Sequence, residues 1–471
     1  MSIIGRRREM GVLDQCMESG RAEFVAVFGR RRVGKTHLVR EYFKNDFAFA
    51  ATGVANKKTS EQLRTFGLTL REYGSPESAP PTDWYEAFMR LKHLLESDSV
   101  RRDALTGRRV IFLDELPWFD TARSNFKTAL EWFWNGWASA CPDLMLVVCG
   151  SATSWIINNL LEDHGGFHNR VTHQIQLLPL TLGECEELLE ANDVRLSRQQ
   201  VIESYMVFGG IPFYLNMLNR RASLSQNIEA LCFAEGAELR HELGRLFSSL
   251  FKNGAQHEAI VRELAKRTGG MTRAELSKVP GIEDGKSLTK ALAELTQCGF
   301  IRRYRDYARA KNGAYYQVID PFTLFSLRYL DTGKVSSWER FIGTPAYHAW
   351  TGLAFELVCL WHVPAMKRAL GISGVASEES SWRSRESSPG VQIDLLVDRA
   401  DGIINICEMK YSASEYVIDA EMERRLRRKQ EVFAQEAKPK KALHITLVTA
   451  HGALHNSHYG AITNEITEIA A

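Results

Sequence analysis

Two groups of residues have the types and spacing to act on phosphates. Near the start of the chain, Gly29-Arg30-Arg31-Arg32-Val33-Gly34-Lys35-Thr36 fits the pattern G-x-x-x-x-G-K-[ST]. The glycines let the backbone turn so that successive N–H groups face phosphate oxygens. The lysine ammonium reaches the β- and γ-phosphates, and the threonine hydroxyl is a Mg²⁺ ligand. Far downstream, Asp394 precedes Glu408-Met409-Lys410. Two carboxylates of this kind hold a hard divalent cation, and an ammonium beside them stabilises charge on a pentacoordinate phosphorus. The first group predicts ATP binding and hydrolysis with Mg²⁺, and the second predicts phosphodiester cleavage.

Elements must hold these residues in place. Phe24 to Phe28 reads as a short apolar strand and Lys35 to Lys44 as a helix, the strand–loop–helix context the first motif needs. Val110-Ile111-Phe112-Leu113-Asp114-Glu115 is an apolar strand ending in two acids, as a Walker B strand does. Continuous apolar runs suit buried parallel strands, and ligands sit at the carboxyl ends of such strands. Asp114 is expected to hold Mg²⁺ through water and Glu115 to polarise the attacking water. A third run, Leu144 to Cys149, leads into Gly150-Ser151, where Ser151 is either a contact to the γ-phosphate or a plain loop serine. The three consecutive arginines of the loop read as charge near phosphate. Trp118, Trp132, Trp134 and Trp137 lie in helix-like apolar segments and read as core residues.

In the C-terminal part, Trp350 to Leu360 is an apolar helix bearing Glu356, and Ser373 to Gly390 reads as a polar loop. Val391–Val397 and Ile403–Lys410 read as two strands. With Ala400-Asp401-Gly402 as the loop and Gly402 left-handed, Arg399 pairs with Ile403, which sets Asp394 opposite Glu408. Glu408 and Lys410 then share a face, and a slip of one residue would send Asp394 to the other side. Ala442 to Thr449 is expected to close the sheet edge. Arg424, Arg425, Arg427, Arg428 and Lys429, followed by Lys438, Lys440 and Lys441, form the densest basic stretch. Spread over more than one helix face, part of it is solvated, and the rest is able to hold a nucleic-acid backbone.

Between these parts, Leu180 to Arg240 is helical, with short apolar repeats. His257–Ala265, Met271–Leu276 (with Thr272 as cap) and Ser287–Cys298 read as helices; Gly299–Tyr304 and Tyr315–Ile319 read as strands. Three helices and a hairpin describe a winged helix–turn–helix. Lys286, Lys290, Arg302, Arg303, Arg305, Arg309 and Lys311 make it lean basic. Two readings stand: the third helix and wing contact DNA, or the module is a packing spacer with solvated charges.

At 471 residues, 45% apolar and 25% charged, the chain is long enough for several globular domains. Its net charge of +2 sets up no global field for nucleic acid, so any basic patch is local. Eight scattered cysteines without a C-x-x-C pair argue against zinc and disulfides. With no signal-peptide apolar core and no run of membrane-spanning length, a soluble, cytoplasmic protein is expected, with no membrane partner.

Gly5-Arg6 with Glu9-Met10, the P-loop, Asp114-Glu115-Leu116-Pro117-Trp118, Gly150-Ser151 and Gly209-Gly210-Ile211-Pro212 together resemble the archaeal-type ATPases of the AAA+/STAND assemblage. The resemblance covers roughly residues 1–219 and continues downstream. It implies that Gly5 and Arg6 lie against the adenine end of the nucleotide and that Gly210 and Pro212 open a helical lid over the base. Ser151 stands where many AAA+ proteins carry asparagine. Arg170, in His168-Asn169-Arg170, stands where the family carries a conformationally important arginine; a surface salt bridge is the rival reading. The C-terminal pattern resembles the PD-(D/E)XK nuclease superfamily, with Ile393 in place of the leading proline. That resemblance implies metal ligands at Asp394 and Glu408, a catalytic Lys410 and an accessory, metal-facing Glu356.

The expected architecture is a multidomain α/β protein. A parallel-sheet P-loop core occupies 1–178, a helical lid 179–240, a winged helix 241–335 and a PD-(D/E)XK-like domain 336–471. The expected function is an ATPase whose nucleotide state gates a Mg²⁺-dependent DNA nuclease. The alternative is a nucleotide-switched DNA- or protein-binding regulator with an inert nuclease fold. ATP, Mg²⁺ and DNA are the expected ligands, with room for a homo-oligomer.

Overall fold

The computed structural model describes residues 3–151, 153–162, 165–167, 169–251, 254–307, 314–384 and 386–467. His168, Arg309 and Lys311 lie outside the described residues. The chain divides into two compact units, Met1–Leu178 and Pro179–Ala471. No described helix is long and apolar enough to cross a membrane.

In the first unit, β1 (Glu23–Phe28), β2 (Phe49–Thr52), β3 (Arg109–Asp114), β4 (Leu144–Gly150) and β5 (His173–Gln176) form one sheet in the order β2-β3-β4-β1-β5. All neighbours run parallel. β1, β3 and β4 are buried along their whole length, as unbroken apolar runs require. Because β4 lies between β1 and β3, the ends of the three strands stand in one row. Gly29, Ser151 and Asp114-Glu115 follow from those ends.

The helices Thr59–Glu72, Trp84–Glu96 and Phe126–Gly136 cover this sheet with an aromatic core around Phe66, Trp84, Phe88 and Phe126. Asp83 caps the second of them by accepting from the Glu86 N–H at 2.9 Å. Trp134 is core, its ring 4.9 Å from Phe24. Trp132 departs from the core expectation: it is 43% exposed, beside Tyr85. Phe126, Ala129, Leu130, Phe133 and Trp134 form the buried stripe of that helix, and position 132 falls outside it.

The second unit opens with helices Leu182–Ala191 and Arg198–Phe208, started by the capping boxes Thr181/Glu184 and Ser197/Gln200. Further on come the helix Gly254–Ala265, β6 (Met271–Thr272), the helix Lys286–Gln297, β7 (Ile301–Tyr304) and β8 (Tyr315–Val318). β6, β8 and β7 form a small antiparallel sheet in that order. After helix Pro345–Trp361, a second five-stranded sheet contains β9 (Ser377–Arg383), β10 (Gln392–Arg399), β11 (Ile403–Lys410), β12 (Ala442–Thr449) and β13 (Asn464–Ile466), in the order β13-β12-β11-β10-β9. Helix Ala420–Ala437 joins β11 to β12 in the parallel crossover.

Two sequence expectations change here. The polar stretch expected as a loop contains β9, an edge strand in which only Ser381 and Trp382 are buried. Ala442–Thr449 does not close the sheet, because β13 pairs along its outer side.

Candidate functional site

The first site is built where β1 turns into the helix Lys35–Tyr42. Gly29 has φ 151°, and a Cβ there would run into the Leu177 carbonyl. Gly34 has φ 91° and caps the helix, so its bend and the helix N-terminus turn N–H groups and dipole toward one spot. The loop arginines take different places: Arg30 is buried, Arg31 is exposed and Arg32 sits at φ 75°. Val33 is buried, and its carbonyl accepts from the Arg6 guanidinium at 3.1 Å, which ties the Gly5-Arg6 turn to the loop. Lys35 is buried and donates to the Arg30 carbonyl at 2.9 Å.

Across the row of strand ends, Thr36 donates its hydroxyl to Asp114 Oδ2 at 3.0 Å. Burial pushes the Asp114 carboxyl up, against the Thr36 hydrogen bond that favours its charge. A buried carboxylate and a hydroxyl at this spacing fit a hard cation that keeps its waters. Ser151 is not a plain loop serine: its hydroxyl donates to Glu115 Oε1 at 2.6 Å and its N–H to Oε2 at 3.3 Å. Glu115 itself is left-handed, φ 48°, so its side chain leaves the strand at a turn. Arg170 is exposed.

Gly210 and Pro212 belong to the second unit. There the Leu180 N–H donates to the Gly210 carbonyl at 2.6 Å, and a Cβ on Gly210 would strike the Leu180 backbone. Pro212 starts the short helix Pro212–Leu215, where its missing N–H costs nothing.

The second site lies on the C-terminal sheet. β10 and β11 pair with Leu395 opposite Cys407 and Asp398 opposite Ile404. Carried one step further, this register sets Asp394 level with Glu408, and Gly402 takes the left-handed φ of 89° that the loop count needs. The pairing of β10 with β9 is interrupted between Ile393 and Leu396, a bulge at Asp394. Glu408 is buried with both oxygens engaged: Lys410 Nζ lies 2.8 Å from Oε1, and Lys429 Nζ 2.5 Å from Oε2. Burial pushes its carboxyl up, but the two ammonium groups outweigh burial and hold it below the usual range.

Glu356, on helix Pro345–Trp361, makes no hydrogen bond or ion pair among the described residues. Burial and then the Asp394 charge push its carboxyl up to about 8, with Arg302 pulling the other way. Asp394 accepts from Gln392. The Asp394 charge that raises the proton affinity of Glu356 fits a shared divalent cation, whose charge would relieve that repulsion.

Two residues here were not assigned to the site by their sequence pattern. Lys429 reads as one member of a basic run, and only the packing of helix Ala420–Ala437 brings it onto Glu408. Arg302 reads as a wing charge for phosphates. Instead it stands on β7 among Glu356, Asp394 and Glu379, while its neighbour Arg303 is exposed.

No protein-family model matches the chain. The uncharacterized protein MJECL04 of Methanocaldococcus jannaschii is similar to it at 23% identity over 369 residues, 75% of this chain and 76% of that protein. Among solved structures, the Walker-type ATPase paby2304 of Pyrococcus abyssi is similar with 17% identity and a TM-score of 0.48, covering 69% of this chain and 96% of that one. The Aeropyrum pernix ORC2 protein in its ADPNP–ADP complexes has 17% identity and a TM-score of 0.42, covering 73% and 96%. At these scores the structural likeness carries no argument, and what the two sites do rests on their own geometry.

Proposed function

We propose that the first unit binds and hydrolyses ATP with Mg²⁺, and that the second carries a metal-dependent phosphodiester-cleaving site governed by nucleotide state. The observation that carries the first half is the row of strand ends. It sets the phosphate loop, the Thr36–Asp114 pair and the Ser151–Glu115 pair side by side. Loop N–H groups and Lys35 hold the phosphates, Thr36 and Asp114 hold the cation, and Ser151 orients Glu115 toward the attacking water. Mg²⁺ there supplies charge neutralisation on the β- and γ-oxygens.

Gly5 and Arg6 brace the loop at the adenine end, and Gly210 and Pro212 open the lid. In the second unit, Asp394, Glu408 and Glu356 would hold a cation, and Lys410 would neutralise charge at phosphorus. The cation supplies an activated water. Helices Gly254–Ala265 and Lys286–Gln297 with the β7–β8 hairpin act as a winged helix that carries DNA.

A second reading is a nucleotide-switched DNA-binding regulator whose C-terminal site does not cut. It is favoured by one observation: both Glu408 oxygens are already held by lysines. Phosphate release from ATP tests the first half. Lys35→Ala is expected to lower turnover roughly 100-fold or more. Ser151→Ala should lower it about tenfold, with ATP binding retained. Wild-type turnover that survives Lys35→Ala would remove the ATPase reading.

A further inference from the structure

We propose that Arg302 anchors a phosphate of the nucleic-acid strand at the C-terminal acid site, delivered there by the hairpin of the preceding segment. This rests on reading that site as one that takes a phosphodiester. The hairpin is stitched to the C-terminal sheet. Asp306 bridges Ser381 in parallel, the Tyr307 N–H donates to the Ser381 carbonyl at 2.8 Å, and the Ser381 N–H donates to the Arg305 carbonyl at 3.1 Å. On the other side the Trp361 indole N–H donates to the Ile319 carbonyl at 2.8 Å. That bond ties the end of the Glu356 helix to the end of β8. A residue of β7 is thereby held beside acids of another sheet.

The guanidinium is oriented before any ligand arrives. Gln317 lies opposite Arg302 in the β7–β8 pair, and its Oε1 accepts from Arg302 Nε at 2.7 Å. The Gln317 amide is fixed in turn, since its NH₂ donates to the Thr268 carbonyl. The guanidinium carbon lies over the Tyr304 ring, 4.4 Å from its centroid. These contacts use Nε and one face. Among the described residues neither terminal nitrogen has a hydrogen-bond or ion-pair partner, although the charges of Glu356, Asp394 and Glu379 act on the group.

A side chain serving only as a counter-ion would close to contact, as Lys410 and Lys429 do on Glu408. Arg302 instead keeps its outer N–H edge for a ligand. A planar fork of this kind matches two oxygens of one phosphate, which a lysine cannot do. Held at a half-buried site beside the metal-facing acids, such a contact would place the phosphodiester between Arg302 and Lys410.

The test uses the full chain with Arg302→Gln, Arg302→Lys and, as control, Arg64→Gln at an exposed position of the first unit. Binding of a fluorescent oligonucleotide is read by anisotropy in Ca²⁺, Mn²⁺ affinity by calorimetry, and cleavage KM in Mn²⁺. Both Arg302 variants should bind the oligonucleotide at least tenfold more weakly, with Mn²⁺ affinity within about twofold of wild type and Arg64→Gln unchanged. Wild-type affinity in Arg302→Lys, loss of Mn²⁺ binding in step with oligonucleotide binding, or no oligonucleotide binding by wild type would each overturn the anchor. Arg302-dependent binding without cleavage in any metal would sink the cleavage reading and leave the anchor standing. Cleavage at unchanged KM in both variants would do the reverse.

Discussion

The two sites handle buried acid in opposite ways. At the strand ends of the first unit, Asp114 and Glu115 are held by neutral donors: the Thr36 hydroxyl, the Ser151 hydroxyl and N–H groups. Their charge is left for a ligand to meet. On the C-terminal sheet, Glu408 is matched by two lysines, while Glu356 has no partner among the described residues and is pushed toward its neutral form. On the proposed reading, a cation entering the first would meet acids with no ammonium on them among the described residues, and only Lys35 would have to leave the Arg30 carbonyl for the phosphates. On the same reading, a cation entering the second would meet a Glu408 already paired with two lysines and a Glu356 pushed toward its neutral form. A gate acting through helix Ala420–Ala437, which carries Lys429, would therefore act on metal entry directly.

The sharpest way to break this contrast is Lys429→Met, which keeps most of the side-chain stem and removes the charge. Leaving the buried Glu408 with Lys410 alone should destabilise the unit by about 2 kcal/mol. Saturating Mn²⁺ should restore more stability to the variant than to wild type, because the freed oxygen becomes a ligand. Thermal unfolding with and without Mn²⁺ checks both. An unchanged midpoint without metal would show that Lys429 does not compensate Glu408.

A smaller effect is expected from Glu356→Gln. Burial and the Asp394 charge push the Glu356 carboxyl up to about 8 in the folded chain, against an ordinary 4.5. The folded state thus keeps a proton that the unfolded state releases, and this group's contribution to stability falls as pH rises from about 4.5 to about 8. Replacing it with glutamine should flatten the loss over that window, measured as denaturation midpoints across pH. An identical slope in the variant would remove Glu356 from the account.

These contrasts explain what could be read from the residues alone. The buried strands of the first sheet announce themselves because full burial makes each a continuous apolar run, and the loop residues between them follow a fixed spacing. The β10–β11 register was legible because Gly402 fixes the turn and period-two alternation does the rest. β9 was not, since an edge strand with one solvated face needs few apolar residues. Trp132 and Trp134 differ by two positions on one helix, and composition does not say which face is covered. Lys429 and Arg302 reach their acids through packing between distant elements, which no local pattern encodes.

On the proposed function, one chain couples an ATP site to a cleaving site. The most direct measurement is Mn²⁺- and Mg²⁺-dependent cleavage of plasmid and single-stranded DNA with and without ATP, comparing wild type, Glu408→Ala and Lys35→Ala. The account predicts cleavage that Glu408→Ala abolishes and that responds to ATP in wild type but not in Lys35→Ala. No cleavage by a wild type that hydrolyses ATP, or cleavage indifferent to both substitutions, would contradict it.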